Sequence, residues 1–317
     1  MIAIADDPQT AQFRTDVLNG LLRSPKTLPA KYFYDAKGSK LFDEITGLDE
    51  YYLTRVELDI LRKHAAAIAA KCGPRCLLIE PGAGSAVKAR LLLDRLDRPA
   101  GYVPVDVSGD HLHATAAKLF VDYPTLKVFP VVADFTREIP LPAIPATRRV
   151  VFFPGSTLGN FDPPQADALL WRIARLVGPG GGLLLGVDLR KDPAIIEAAY
   201  NDRRGVTAAF NFNLLARINR ELGGDFNPDT FRHHAFYNRE HSRIEMHVVS
   251  LMDQFVHIDE TTIAFRAGET IHTENSYKYD LGDLARFAAC CGFKWKETWG
   301  DARRYFAVID LMAVENC

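Results

Sequence analysis

Three acids and two glycines sit where apolar runs end, and they carry the first chemistry in this sequence. Leu77-Leu78-Ile79 is followed by Glu80, Pro81, Gly82, Ala83, Gly84 and Ser85. Gly82 and Gly84 let backbone approach a ligand where a Cβ would collide. Two ligands compete for such a turn. A dinucleotide requires a third glycine, but Val87 stands there, so that fingerprint is incomplete. S-adenosylmethionine has no phosphate; it needs close backbone approach with carboxylates nearby, since its amino group and sulfonium are cationic. A purely structural turn accounts for the glycines equally well. The second acid, Asp106, ends Tyr102-Val103-Pro104-Val105, 26 residues after Glu80. An acid near that offset can accept from both vicinal hydroxyls of a ribose, and helix capping is the plain alternative. The third, in Ala133-Asp134-Phe135, pairs an acceptor for an adenine amino group with a ring that can stack on the base.

These residues need a sheet to hold them. Short apolar strands at 77–79, 102–106, 126–132, 149–153 and 183–188 alternate with helical periodicity at about 86–96, 110–120 and 164–177. Repeated β-then-α units predict an α/β fold with a doubly wound parallel sheet, its ligands at the carboxyl edge. Pro154-Gly155-Ser156-Thr157-Leu158-Gly159-Asn160 lies at that edge, where a substrate should meet the cofactor. Helices are expected at 193–200 and 206–222. Strand-like runs at 231–237, 242–251, 254–265 and 269–277 then predict a separate antiparallel sheet. A helix at 280–291 and strands at 294–299 and 305–314 return to the first sheet. Upstream, residues 1–24 hold a helix with Phe13, Val17, Leu18, Leu21 and Leu22 on one face. Prolines 25 and 29 keep the next, aromatic-rich stretch extended, either as core edge or as pocket wall.

Composition narrows the function classes. The 317 residues carry a net charge of −2, which gives no basic field for nucleic acid. No apolar run approaches the roughly 20 residues of a membrane span. Residues 1–13 contain Asp6 and Asp7 and lack an apolar signal core. Five cysteines without C-x-x-C spacing fit a reduced, cytoplasmic setting. His233, His234, His241 and His247 show no zinc spacing, so no metal is expected. Ser156 lacks the G-x-S-x-G elbow of hydrolases. Asp188, at a strand end, has no assigned role.

A family likeness runs from about Pro25 to the C-terminus. It is carried by Lys31 to Asp35 with Phe42, by Glu50-Tyr51-Tyr52 with Thr54-Arg55, and by Gly155 to Asn160. Further on it is carried by Gly205 to Asn211, Arg243-Ile244-Glu245-Met246 and Glu274-Asn275-Ser276. On these residues the chain resembles the histidine Nα-methyltransferases of ergothioneine biosynthesis, which convert histidine to its trimethyl betaine, hercynine. The resemblance implies a class I (Rossmann-like) methyltransferase domain at 57–195 and 279–317. An α+β substrate domain at 1–56 and 196–278 completes the chain. It implies S-adenosylmethionine held by Gly82, Gly84, Lys88, Asp106, Asp134 and Phe135. It points to Asn160, Tyr34 and Tyr200 as catalytic and to Phe42, Tyr51, Gly155, Met246, Glu274 and Ser276 as contacts of the amino acid. Pro81 and Ala86-Val87 depart from the less rigid or more polar residues usual there. A monomeric cytoplasmic enzyme is expected.

Those residue types suit methylation of an amine. Asn160 offers a donor and an acceptor, Tyr200 could donate to a carboxylate, and the Gly155 carbonyl could accept from the amine. No dedicated base is required, since water reached through Tyr34 could carry the proton away. A trimethylammonium product is a permanent cation, and the faces of Tyr34 and Phe42 would attract it. Tyr51, Ser276 and Glu274 could match the ring nitrogens of an imidazole, with Met246 as an adaptable wall. Another aromatic amino acid, tryptophan or tyrosine, is the rival substrate. A module that binds cofactor or histidine without turnover is the rival class.

Overall fold

A computed structural model describes residues 8–315. The chain forms two compact units, Leu53–Lys191 with Tyr277–Cys317, and Met1–Tyr52 with Asp192–Ser276.

The first unit is built on a seven-stranded sheet. Across the sheet its strands run Phe293–Gly300, Phe306–Ala313, Gly182–Asp188, Arg148–Phe153, Cys76–Pro81, Gly101–Asp106 and Val131–Val132. The last five are parallel, and Phe306–Ala313 and Phe293–Gly300 close the other side antiparallel. Cys76–Pro81 and Gly182–Asp188 are buried along their whole length, as strands covered on both faces must be. Leu77, Val103, Val151, Leu183 and Ile309 join Leu169, Leu170 and Ile173 of the Pro163–Val177 helix in one core cluster. The order places the winding reversal between Cys76–Pro81 and Arg148–Phe153, which pair directly. Ligands of doubly wound sheets bind outside the carboxyl ends at such a reversal. The Gly82 turn and the Gly155–Asn160 loop leave from those two ends.

One expected strand is mostly missing. The run 126–132 shrinks to Val131–Val132 plus a single bridge from Val128 to Tyr102. Phe129 N–H still donates to the Tyr102 carbonyl and Ala133 N–H to that of Asp106, but Pro104 lies between those two residues on the neighbouring strand, and proline cannot donate to a ladder. The helix expected at 86–96 is shorter, Val87–Leu93: Ala86 is left-handed (φ +55°) and cannot join it, and the chain turns off at Asp94.

The second unit pairs helices Pro8–Leu21, Ala36–Thr46, Pro193–Tyr200 and Val206–Leu222 with a four-stranded sheet. Its order is Lys26–Thr27, Thr270–Tyr277, Arg243–Ser250, Phe231–Asn238. Phe231–Asn238 and Arg243–Ser250 pair antiparallel as expected, and Lys26–Thr27, from the stretch upstream, adds to Thr270–Tyr277 in parallel. The run 254–265 is not one strand but a hairpin, Gln254–Ile258 with Thr261–Phe265. Asp259 takes φ +49° at its turn, a conformation Asp tolerates better than most residues. Part of the expected stretch 25–35 is a 3₁₀ turn, Ala30–Phe33, rather than extended chain. Asp35 follows and caps Ala36–Thr46 by accepting from the Gly38 N–H at 2.7 Å. The expectations for residues 1–7 and for Cys317 lie outside the described residues. Cys72, Cys76, Cys290 and Cys291 are free thiols. Among the described residues no helix is long and apolar enough to cross a membrane.

Candidate active site

On the sheet unit, the Cys76–Pro81 strand delivers the chain into a turn that needs glycine. Gly82 has φ +69° and Gly84 φ +49°, values a side chain strains to adopt. Nothing lies within 4 Å of the place a Gly84 Cβ would take, so the glycine leaves open space beside the backbone. The turn is pinned from behind. Gly82 N–H donates to the Val105 carbonyl at 2.8 Å, and Thr115 Oγ1 donates to the Gly84 carbonyl at 2.9 Å.

Asp106 faces the same turn. Its Oδ2 accepts from Gly84 N–H at 3.3 Å and its Oδ1 from Ser108 N–H at 2.9 Å. Each oxygen keeps acceptor capacity, and the carboxylate is locked in orientation, as a ribose clamp requires. Asp134 Oδ1 takes the Thr136 N–H and hydroxyl at 2.8 and 2.5 Å. Phe135 stands edge-on to Phe153 and Phe161, with centroids 5.7 and 6.1 Å away. Glu80 turns inward instead. It is buried, receives the Tyr102 hydroxyl, and burial pushes its carboxyl up to about 8, so it is mostly protonated at neutral pH.

The Gly155–Asn160 loop is held from two sides. Both oxygens of the fully buried Glu57 accept the Gly155 N–H, at 2.9 and 3.0 Å, and Lys88 Nζ lies 2.6 Å from Glu57 Oε2. The next residue, Ser156, is left-handed (φ +57°), and its Oγ accepts from Asp188 N–H at 2.9 Å. Asp188 is fully buried between Lys191 at 2.5 Å and Lys278 at 3.0 Å. Burial moves the Lys191 ammonium down to about 8. A Cβ on Gly159 would lie 2.8 Å from the Tyr277 carbonyl oxygen, so the loop packs too tightly there for any other residue. Asn160 ends the 3₁₀ turn Thr157–Asn160, half-buried.

On the other unit an aromatic chain runs unbroken through most of the expected substrate contacts. Tyr34 meets Phe42 at 5.6 Å, Phe42 meets Tyr51 at 6.3 Å, and Tyr51 meets Tyr200 at 6.2 Å. Tyr200 then donates its hydroxyl to Ser276 at 2.8 Å. Phe210, absent from the expected site, touches both Tyr34 (5.7 Å) and Phe42 (6.0 Å). Met246 is buried, and its carbonyl accepts from Thr273 Oγ1 at 3.0 Å. Glu274 is half-buried on Thr270–Tyr277, and its carbonyl faces His272 Nε2 at 3.1 Å. Asn160 and Gly155 therefore belong to one unit and the remaining expected substrate contacts to the other.

The fold also gathers side chains that spacing left scattered. Glu245, His247 and His272 bring ligand atoms within 4.8 Å of one another. Arg243 lies 2.7 Å from Glu245 and already balances its charge, which makes a poor seat for a cation. His247 stacks on His272 at 4.7 Å and on Phe236 at 5.5 Å. Burial, and next the His272 ring, depress the His247 imidazole to about 4. The folded protein thus keeps His247 neutral between pH 6.5 and about 4, where the unfolded chain takes up the proton. Acidification through that window should weaken the fold by about 3 kcal/mol through this group. Urea unfolding at pH 7 and pH 4.5 checks it: the His247→Phe protein, which cannot titrate, should lose less stability than the wild type.

The family of S-adenosylmethionine-dependent, histidine-specific methyltransferases matches residues 13–313. The chain belongs to that family. Histidine N-alpha-methyltransferase of Mycolicibacterium smegmatis is 41% identical over 304 residues, 94% of each chain. Ergothioneine biosynthesis protein 1 of Neurospora crassa is 29% identical over 89% of this chain and 32% of its own length. In fold, the S-adenosylmethionine-dependent methyltransferase of Clostridium acetobutylicum superposes with a TM-score of 0.50. It is 10% identical, covering 88% of this chain and 98% of its own. This member of the family has the class I, Rossmann-like sheet, and its cofactor is S-adenosylmethionine. The open glycine turn and the oriented Asp106 carboxylate fit that cofactor.

Proposed function

We propose that this methyltransferase transfers three methyl groups to the α-amino nitrogen of L-histidine, giving trimethylhistidine (hercynine) for ergothioneine biosynthesis. The observation that carries the reading is the 41% identity, over 94% of the chain, to the histidine N-alpha-methyltransferases of Mycolicibacterium smegmatis and Mycobacterium tuberculosis. S-adenosylmethionine supplies the electrophilic methyl group. Gly82, Gly84, Lys88, Asp106, Asp134 and Phe135 hold it. The amine must present its lone pair in line, and such positioning lowers a barrier by several kcal/mol. Asn160 orients the amino acid through its amide, the Gly155 carbonyl accepts from the amine, and the Tyr200 hydroxyl turns from Ser276 to donate to the carboxylate. Tyr34 passes the released proton to water. As methyl groups accumulate, the faces of Tyr34 and Phe42 stabilise the growing cation by about 0.5–2 kcal/mol per ring. We assign the imidazole to Tyr51, Ser276, Glu274 and Met246. The enzyme works as a cytoplasmic monomer.

Mass spectrometry of histidine incubated with the enzyme and S-adenosylmethionine tests this. Species heavier by one, two and three methyl groups should appear, and an unchanged mass with measurable cofactor binding would leave a binding module. Tryptophan is the rival substrate, and its indole N–H could donate to Glu274, but it offers no acceptor for the Tyr51 or Ser276 hydroxyl and no positive charge for the carboxylate to attract. Glu274→Ala should lower the preference for histidine over tryptophan by up to about 30-fold in kcat/KM while cofactor affinity stays unchanged. An equal fall in cofactor affinity would make Glu274 structural.

A further inference from the structure

We infer that Glu57 is a positioning residue of the transfer reaction: it fixes the Gly155 amide and the Lys88 ammonium with one buried carboxylate. The inference rests on the reading of Gly155 as the neighbour of the reacting amine. Glu57 lies in the Tyr52–Cys72 helix and is fully buried. Burying an isolated carboxylate is costly, so its partners must be built in. They are. The Gly155 N–H is shared between the two oxygens at 2.9 and 3.0 Å, and Lys88 Nζ is 2.6 Å from Oε2.

Room for the carboxylate is provided by a third element. A Cβ on Gly186, in the Gly182–Asp188 strand, would lie 2.2 Å from Glu57 Oε1. Gly186 has no turn to make and no positive φ to support. Its lack of a side chain admits this acid first of all, and also spares the Phe306 ring and the Pro154 Cα, each 3.2 Å from the same point. The two groups that Glu57 grips lie on the two segments leaving the sheet at its winding reversal. Lys88 is in the first turn of the helix after the Gly82 turn, and Gly155 opens the loop that ends at Asn160. With no exposed surface and both oxygens engaged, Glu57 cannot receive the substrate proton; its work is geometric. It keeps the Gly155 backbone, at φ +79°, facing one way. A shift of about 1 Å in such a contact can cost a factor of 100 in rate.

Glu57→Gln keeps the shape and one acceptor but loses the charge that holds Lys88. Turnover per folded enzyme, at saturating S-adenosylmethionine, should fall at least tenfold, and cofactor affinity by calorimetry, in which Lys88 takes part, should fall by a smaller factor than turnover does. Gly186→Ala displaces the same carboxylate without altering its charge and should reproduce the loss in kcat, which keeps the test available if Glu57→Gln does not fold. A purely structural Glu57 would lower the melting temperature and leave turnover per folded molecule within twofold of wild type, which overturns the inference. So does a loss that appears only in cofactor affinity, or a folded Gly186→Ala enzyme with wild-type turnover. Because each ratio is taken against a wild-type protein that methylates histidine, failure of the substrate assignment shows separately, as wild-type inactivity.

Discussion

Asp106→Ala should raise the dissociation constant for S-adenosylmethionine by about 100-fold, measured by calorimetry without histidine. The carboxylate is the ribose clamp in our reading, and hydrogen bonds to a charged acceptor are worth about 1.5–3 kcal/mol each. Two such bonds at the lower end of that range come to about 3 kcal/mol, so about two decades is the expected scale. The residue also receives the Gly84 and Ser108 amides, which means alanine loosens the turn it was meant to serve. Asp106→Asn separates the contributions. It keeps an acceptor but lacks the charge, and should lie between alanine and wild type. Normal cofactor affinity in the alanine variant would move the ribose site to another strand.

The second large effect belongs to Asn160. Asn160→Ala should lower kcat/KM for histidine by about 100- to 1,000-fold, because one amide that both donates and accepts disappears from beside a zwitterion. Cofactor affinity should hold. Asn160 ends a 3₁₀ turn whose shape comes from Glu57, from Ser156 with Asp188, and from the Tyr277 backbone against Gly159. Because those contacts are made by other residues, truncating the half-buried Asn160 side chain leaves the scaffold standing. A matching drop in melting temperature, or in cofactor affinity, would refute the role.

How much of this was legible in the sequence depends on whether period or partner decides each feature. Helices such as Pro193–Tyr200 and Val206–Leu222 end where their apolar period ends, so their bounds read directly. Strand pairing does not read that way. Lys26–Thr27 is too short to carry a period, and only Ile271 and His272 across from it make it a strand. The 126–132 run has the apolar content of a strand, yet Pro104 on the strand beside it, between Tyr102 and Asp106, removes a donor at the point where the ladder needs one. At the site, Gly82, Gly84 and Asp106 announce themselves through glycine spacing and the end of a strand. Glu57 does not. In Val56-Glu57-Leu58 it reads as the polar side of an ordinary helix, and nothing nearby in sequence reveals Gly155, Lys88 or the space left by Gly186. Phe210 was hidden differently: on a helix rich in buried apolar residues, one more ring looks like core.

The buried Asp188 has a consequence for how the chain is threaded. Asp188 and Lys278 pair where the polypeptide leaves the sheet unit and where it comes back. Leu189 bridges Tyr279, Arg190 N–H donates to the Tyr279 carbonyl at 2.9 Å, and Tyr279 N–H donates to that of Asp188 at 2.9 Å. The whole excursion of 192–276 is thus gathered at a stitched neck, its exit and return strapped together by charge and by backbone. Closing so long a loop carries an entropic toll, and the strap meets it locally, within the sheet's own interior.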